Sequence, residues 1–182
     1  MKQGFQKGEH QRPLMQKNAF FLVLLLAALS FSPGCLEDEG TQGDEMVPEF
    51  SIVADDENTY SSESLTGTNY IIHFSASWCN QCRPTMHAVT NHLDNETYLV
   101  VSTDGGDGGQ ETLQNWHAQV NESVEETTVD APFGMSVELA QEFEINNTPT
   151  LILIGKDGKV IDRHIGPMTE AEEIDAFWAQ AQ

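Results

Sequence analysis

The stretch Trp78-Cys79-Asn80-Gln81-Cys82 decides the fold of this chain. It follows an apolar run, residues 70–74, and precedes residues 84–93, which are compatible with a helix. Two cysteines separated by two residues at a strand-to-helix junction are typical of a redox site. The amino terminus of a helix carries unpaired N–H groups and partial positive charge, which favour a thiolate over a thiol. We therefore predict that Cys79 is the more acidic and more exposed sulfur, with Cys82 one turn further along and close enough to form a disulfide with it.

The chain is strongly acidic after its first residues. It has 182 residues, with 8 Lys and Arg against 29 Asp and Glu. Four of the basic residues lie in the first 17, which leaves residues 36–182 with 4 basic and 28 acidic residues and a formal charge of −24. Nucleic-acid binding needs a basic face for the phosphates, so no nucleic-acid partner is expected. The simplest interpretation of the acidity is a solvated surface that keeps the protein soluble.

The first 35 residues have the pattern of a targeting segment. A basic region ends at Lys17, and an apolar core of eleven residues runs from Ala19 to Leu29. This core is shorter than the roughly 20 residues that span a membrane, and it fits the apolar part of a signal peptide. Residues 1–35 are therefore predicted to be a signal, lipoprotein-type or anchor segment. Residues 36–48, which are polar and acidic, are predicted to be a flexible tether.

Cys35 lies where a lipoprotein signal places its acylated cysteine, with Gly34 before it and Leu36 after it. Ser32 departs from the leucine that is usual at the third position before such a cysteine. Lipid attachment at Cys35 is the first interpretation. The alternatives are an uncleaved anchor, or simple secretion with an incidental cysteine. All three place the domain outside the cytoplasmic membrane, and the first two tether it to the cell membrane.

The rest of the chain, residues 49–182, alternates between strand and helix patterns. Strands are predicted over residues 49–53, 69–74, 98–103, 150–154 and 160–165. Helices are predicted over residues 84–93, 111–120, 136–143 and 170–181, the last capped by Thr169. A flexible loop is predicted over the glycine-rich residues 105–109. This order predicts an α/β domain with helices on both faces of a central mixed sheet.

Four blocks of this pattern resemble the thioredoxin superfamily, and within it the membrane-tethered TlpA/ResA-like (redoxin) group. They are an extra N-terminal β-hairpin (residues 48–52 with 64–67), the active-site strand and loop (73–83), the second core strand (101–104), and the cis-proline loop with its hairpin (147–166). The resemblance covers roughly residues 47–180. It implies a thioredoxin-like fold with a redox-active disulfide between Cys79 and Cys82.

The resemblance also assigns roles around the dithiol. The residue at the position of Pro149 is a cis proline in this family, packed against the cysteine pair; the alternative is a trans proline that simply starts the next strand. The backbone of Thr148 is then expected to pair with an extended segment of the substrate, as in strand addition. Trp78 is expected to shield the site and shape substrate approach, or only to pack.

The chain departs from the family pattern near the second cysteine. Relatives often carry a buried acid at the position of His73, a glutamate at that of Thr85 and a helix-kinking proline at that of His87. The usual proton acceptor for Cys82 is therefore missing. His73 is the candidate replacement because imidazole titrates near neutrality, although a histidine in a strand is more often a hydrogen-bonded core residue. His87, five residues past Cys82, is less suited to face the sulfurs.

The resemblance implies an extracytoplasmic thiol–disulfide oxidoreductase that exchanges disulfides with partner proteins. Reduction of the partner is favoured over oxidation, with electrons from a membrane-embedded or thioredoxin-type donor. No cofactor and no metal are expected. One alternative is a binding module in which Cys79, Cys82 and a histidine hold Cu(I) or Zn, since thiolates are good soft-metal ligands. The other is a peroxiredoxin-like peroxide reductase, whose Thr-x-x-Cys context is replaced here by residues 75–78.

Overall fold

The computed structural model describes residues 45–122 and 127–182, which contain seven strands, four helices and one 3₁₀ turn. The strands are β1 (Ser51–Val53), β2 (Thr59–Ser61), β3 (Tyr70–Ser75), β4 (Thr97–Ser102), β5 (Phe133–Met135), β6 (Thr150–Ile154) and β7 (Val160–Ile165). The helices are α1 (Cys82–His92), α2 (Gln110–Val120), α3 (Val137–Glu142) and α4 (Ala171–Ala179), and the 3₁₀ turn spans Gly105–Asp107.

Five of the strands form a central mixed sheet in the order β5-β4-β3-β6-β7. β4 runs parallel to β3 and β5, whereas β6 runs antiparallel to β3 and β7. The carboxyl ends of β3, β4 and β5 therefore meet the amino end of β6 at one end of the sheet. In register, Ser75 lies opposite Ser102, and Phe74 lies opposite Thr150. The loops that leave this end carry the two cysteines, the 3₁₀ turn and Pro149.

Both faces of the sheet are covered, as the sequence predicts. One core cluster joins the sheet to α1, α2 and α4, and the other joins it to α3 and the N-terminal hairpin. Successive residues of β3 point to opposite faces, so Ile71 belongs to the first cluster and Ile72 to the second. All six residues of β3 are buried, which explains why this strand has a continuous apolar run rather than an alternating one. The predicted α/β architecture is confirmed.

The extra hairpin is also confirmed, with β1 paired antiparallel to β2, but its second strand is Thr59–Ser61, and residues 64–67 lie in the turn that follows. Asp55 anchors it to the main sheet: its carboxylate accepts from the backbone N–H of Phe133 at 2.7 Å and from Nδ1 of His117 at 2.6 Å. The Nε2 of His117 donates to the carbonyl of Val129 at 2.7 Å, and its ring stacks on Phe133. Both imidazole nitrogens of His117 thus lie within hydrogen-bond distance of an oxygen atom. The hairpin is thus held against β5 and α2.

Two local features differ from the prediction. β5 is not predicted because it has only three residues and a central glycine; that glycine is required, since a Cβ on Gly134 would lie 2.4 Å from Ile52 Cγ2. The predicted cap of the last helix, Thr169, is wrong. Glu170 has the extended backbone of the N-cap residue, and the helix begins at Ala171.

Glu45 and Val47, inside the segment predicted to be a tether, contact the domain. The carbonyl of Glu45 accepts from the N–H of Val160 at 2.8 Å, and the N–H of Val47 donates to Gly158 at 2.8 Å. The predicted leader, with Cys35, and the tether up to residue 44 lie outside the described residues. Within residues 45–122 and 127–182, no helix has both the length and the apolar character needed to cross a membrane.

Candidate active site

A disulfide joins Cys79 to Cys82 at the end of the sheet described above, with the two Cα atoms 5.4 Å apart. Cys82 is the first residue of α1 and is fully buried in the core cluster beneath the helix. Cys79 lies in the preceding loop and is partly exposed. One sulfur is therefore open to a reaction partner while the other is shielded by the protein.

The backbone around the pair is shaped by the start of the helix. The N–H of Cys79 donates to the carbonyl of Ala76 at 2.9 Å, and the N–H of Cys82 donates to that of Cys79 at 3.1 Å. Gln81 occupies the N-cap position, but its side chain makes no capping hydrogen bond, and the first turn contains no acidic residue. The positive end of the helix is thus left without a carboxylate to neutralise it, which favours a thiolate at Cys79 after reduction.

A buried carboxylate holds the loop that leads into Cys79. Asp107, at the end of the 3₁₀ turn, accepts from the backbone N–H of Ser77 at 2.9 Å and from its hydroxyl at 2.6 Å. It also accepts from the hydroxyl of Ser102, at the end of β4, at 2.5 Å. The glycine-rich segment predicted as a flexible loop therefore connects β4 directly to the active-site loop.

Asp104 connects the same segment to Trp78. Its carboxylate accepts from the indole Nε1 at 2.9 Å and from the N–H of Gly106 at 2.8 Å. These two hydrogen bonds lower the pKa of Asp104 below its ordinary value, chiefly the bond from Gly106. The indole itself is 63% exposed. Trp78 thus presents a fixed apolar surface to solvent beside Cys79.

Reading motifs in the sequence assigns neither aspartate a role at the site. The signal for both is topological: Asp104 and Asp107 follow β4, whose carboxyl end lies beside that of β3 and therefore beside the cysteine loop. Side chains that follow neighbouring parallel strands gather at the same end of a sheet, where α/β proteins place their sites.

The Thr148–Pro149 peptide bond is cis, as the resemblance implies. Pro149 is buried and directly precedes Thr150, which pairs with Phe74 near the end of β3. The proline loop and the cysteine loop therefore leave the same end of two adjacent strands. Thr148 is partly exposed.

His73 is completely buried on the same face of β3 as Ile71, which packs in the cluster that contains Cys82. Its Nδ1 hydrogen bonds to the hydroxyl of Tyr98, and its Nε2 has no hydrogen-bond partner. Burial lowers the pKa of His73 to about 3 and raises that of Tyr98 well above its ordinary value, so both groups are neutral at physiological pH. The predicted role of proton acceptor for Cys82 stays a prediction, and this low pKa argues against it.

Two other departures from the family pattern have structural roles. The hydroxyl of Thr85 accepts from the backbone N–H of Met168 at 3.1 Å, which ties α1 to the segment before α4. The ring of His87 contacts the carbonyls of Val120 and Thr127 at 3.1 and 2.6 Å, and so lies against the end of α2. In the part of the chain that the structure describes, no group of three or more His, Cys, Asp or Glu side chains is arranged to hold a metal ion.

Residues 59–182 match the family model described as a thioredoxin-like domain. This match covers more than half of the chain and includes the disulfide, the cis proline and the whole central sheet. The chain belongs to the thioredoxin-like family. With its disulfide-bonded Cys79–Cys82 pair, it is a thiol–disulfide oxidoreductase, which acts on protein thiols and disulfides.

Individual relatives agree with this assignment. The chain is 35% identical over 100 residues to a thioredoxin-like protein of Haemophilus influenzae, an alignment that covers 54% of this chain and 56% of the relative. It is 24% identical over 157 residues to sporulation thiol-disulfide oxidoreductase A of Bacillus subtilis, covering 84% of this chain and 90% of that one. A thiol:disulfide interchange protein of Chlorobium tepidum has the same fold, with a TM-score of 0.58, 26% identity and coverage of 75% of this chain and 94% of that one.

Proposed function

We propose that this protein is an extracytoplasmic reductant of disulfides in partner proteins, tethered to the cell membrane by its N-terminal segment. The observation that carries the exchange chemistry is the asymmetry of the dithiol; the reducing direction, the tether and the location rest on the resemblance to the TlpA/ResA-like group. Cys79 is partly exposed at the amino terminus of α1, whereas Cys82 is fully buried behind it. Such a pair has one sulfur to attack a substrate and a second, protected sulfur to release it.

In the reducing direction, the thiolate of Cys79 attacks one sulfur of a substrate disulfide. A bond forms between Cys79 and that sulfur, and the other substrate sulfur leaves as a thiolate and takes up a proton. The sulfur of Cys82, after losing its proton, then attacks Cys79, forms the Cys79–Cys82 disulfide and releases the second substrate sulfur as a thiolate, which is also protonated. The protein is oxidised by two electrons, and the substrate is reduced by two.

The substrate is proposed to approach between Trp78 and Thr148. The indole of Trp78 offers an exposed apolar surface held by Asp104, and the backbone at Thr148 lies beside the same end of the sheet. An extended substrate segment paired with that backbone would place its disulfide over Cys79. Recharging of the oxidised pair is assigned to a membrane-embedded or thioredoxin-type electron donor, by resemblance to the TlpA/ResA-like group.

The exchange step is tested by trapping with single-cysteine variants of the full chain. Cys82→Ser keeps the attacking sulfur but cannot release the substrate. It should therefore accumulate mixed disulfides between Cys79 and partner proteins, which a reducing agent cleaves. Cys79→Ser is the matched control, since its remaining sulfur is buried. Comparable trapping by both variants, or trapping by neither, would contradict the proposed roles.

The tether is tested separately by cell fractionation. In the source cells, the wild-type chain should sediment with membranes, and Cys35→Ser should shift it to the soluble extracytoplasmic fraction if a lipid on Cys35 is the anchor. Metabolic labelling with a fatty acid gives an independent readout of the same cysteine. Membrane retention of Cys35→Ser with no label on the wild type would instead identify an uncleaved apolar anchor, and recovery of the wild type in the cytoplasm would overturn the proposed location.

A further inference from the structure

A cavity of about 270 Å³ opens beside Cys79, between α1 and α2. Cys79 and Asn80 form its rim, Arg83 lies on the α1 side, and Trp116 and Gln119 lie on the α2 side. Trp78, Thr148 and Pro149 are not among its lining residues, so the cavity is distinct from the proposed approach of protein substrates. The reactive sulfur is therefore reached by a second route.

Arg83 is the group in this cavity that indicates a ligand. Its Nε donates to the carbonyl of Val120 at 3.2 Å, which fixes the side chain across the gap between the two helices. Among the described residues, no carboxylate lies within ion-pair distance of its guanidinium, although Glu122 also lines the cavity. In a chain with 29 acidic and 8 basic residues, an arginine next to the reactive sulfur that has no carboxylate partner among the described residues is suited to an incoming anion.

The volume limits what enters. Pockets for drug-sized molecules measure about 300 to 1,000 Å³, so this cavity suits a ligand between an amino acid and a short peptide in size. A guanidinium matches the geometry of a carboxylate through paired N–H donors. Since Arg83 and Cys79 line the same cavity, a molecule that uses both carries a carboxylate and a sulfur.

We propose that this cavity binds a low-molecular-weight thiol bearing a carboxylate, such as cysteine or a cysteine-containing short peptide, and that this thiol exchanges directly with Cys79. The inference rests on the proposed exchange chemistry and extends it with a second class of partner. The small thiol supplies electrons to the oxidised pair without a protein donor.

Reduction of the Cys79–Cys82 disulfide consumes two molecules of the small thiol. The thiolate of the first attacks the Cys79 sulfur, forms a mixed disulfide and breaks the Cys79–Cys82 bond; Cys82 leaves as a thiolate and takes up the proton that the small thiol lost. The thiolate of a second attacks the sulfur of the first, and Cys79 leaves as a thiolate. The products are the reduced Cys79 and Cys82 pair and one small-molecule disulfide.

The test measures the rate at which the oxidised full chain is reduced by three thiols of different charge: 3-mercaptopropionate, 2-mercaptoethanol and cysteamine. The rates are followed by acid quenching and alkylation of free thiols. Each variant is compared with wild type for the same thiol, so differences in the reactivity of the thiols cancel. Arg83→Gln should lower the rate with 3-mercaptopropionate about tenfold and leave the rate with 2-mercaptoethanol within twofold. An equal loss with all three thiols would mean that Arg83 only tunes the sulfurs, and would overturn the proposal.

A second pair of variants tests the cavity itself rather than the charge. Gln119→Trp fills the space between the helices and should lower the 3-mercaptopropionate rate relative to the rate with reduced insulin as the electron donor. Gln141→Trp makes the same change at an exposed position of α3 and should leave this ratio unchanged. A ratio unaffected by Gln119→Trp would exclude the cavity as the route of entry. A loss with insulin as large as that with the small thiol would mean that protein substrates use the cavity, and would also overturn the proposal.

These outcomes are separable from those of the trapping experiment. Loss of the Arg83-dependent preference with normal trapping by Cys82→Ser would remove the small-thiol site and leave protein disulfide exchange intact. A retained preference without trapping of any protein would remove the proposed protein substrates and leave a domain that exchanges only with small thiols.

Discussion

At the scale of single residues, the sequence identifies the reacting atoms but not their surroundings. The spacing of Cys79 and Cys82 predicts a disulfide, and the pair is bonded. The candidate base, His73, is named from its place in the active-site strand, but the sequence does not reveal that Tyr98 lies on the adjacent strand within hydrogen-bond distance of its ring. A cross-strand contact depends on register, which the sequence specifies only through the fold.

The burial of His73 has a measurable consequence for stability. Its pKa is about 3 in the folded protein and near 6.5 in the unfolded chain. Below pH 6.5, the unfolded chain therefore binds a proton that the folded protein does not, so stability is fully present above pH 6.5 and is lost as the pH falls toward 3. Glutamine does not titrate, so we predict that the unfolding free energy of His73→Gln falls less steeply with decreasing pH than that of the wild type. The difference should be up to about 1.4 kcal/mol per pH unit, measured by urea unfolding between pH 3 and 7.

The matched control for this experiment is His92→Gln, because His92 is exposed at the end of α1, the helix that begins at Cys82. The pH profile of its unfolding free energy shows what the removal of an exposed imidazole does by itself. If the profile of His73→Gln follows that of the wild type, His73 titrates alike in the folded and unfolded states and the account of its burial is wrong.

At the scale of secondary structure, the long buried strands are predicted well, because apolar runs bounded by turn residues have few alternative structures. β3 and β6 lie within one residue of their predicted bounds. β5 is not predicted, because Gly134 is set by close packing against Ile52 rather than by strand propensity. The segment 105–109 is predicted as a surface loop, because glycine content indicates freedom in isolation. The carboxylate of Asp107 removes that freedom through contacts distant in sequence.

The anchoring by Asp107 should be visible in stability and in redox behaviour. Asp107→Ala leaves the two donors of Ser77 and the hydroxyl of Ser102 without their acceptor, which we expect to lower the unfolding free energy of the oxidised protein by about 3 kcal/mol. The measurement is urea unfolding at neutral pH, together with the reduction potential of the dithiol. The substitution releases the loop that carries Cys79, so the reduction potential of the dithiol should change as well.

Asp104→Ala is the appropriate comparison, since Asp104 lies in the same segment but bonds to the exposed Trp78. Its loss should lower the unfolding free energy much less than the loss of Asp107, as expected for a solvent-accessible hydrogen bond. Equal destabilisation by the two substitutions would contradict the view that Asp107 is the principal anchor of the active-site loop.

At the scale of the whole molecule, composition and the order of elements predict the α/β architecture, its two covered faces and the end of the sheet that carries the chemistry. The direction of electron flow is not accessible in the same way, because it depends on the relative stabilities of the oxidised and reduced forms. These differ by only a few kcal/mol between reductants and oxidants, since 30 mV corresponds to about 1.4 kcal/mol for two electrons. No single residue of the site carries that difference.

The most direct test of the account is the reduction potential of the Cys79–Cys82 pair in the full chain, held in a mild detergent. The protein is equilibrated in dithiothreitol or glutathione buffers of known potential, its free thiols are trapped, and the oxidised fraction is measured by mass spectrometry. A reductant of partner proteins should have a potential near or below about −250 mV. A potential near about −120 mV, as in strong oxidants, would contradict the proposed direction. If no intramolecular disulfide formed at any potential, the oxidoreductase account itself would fail.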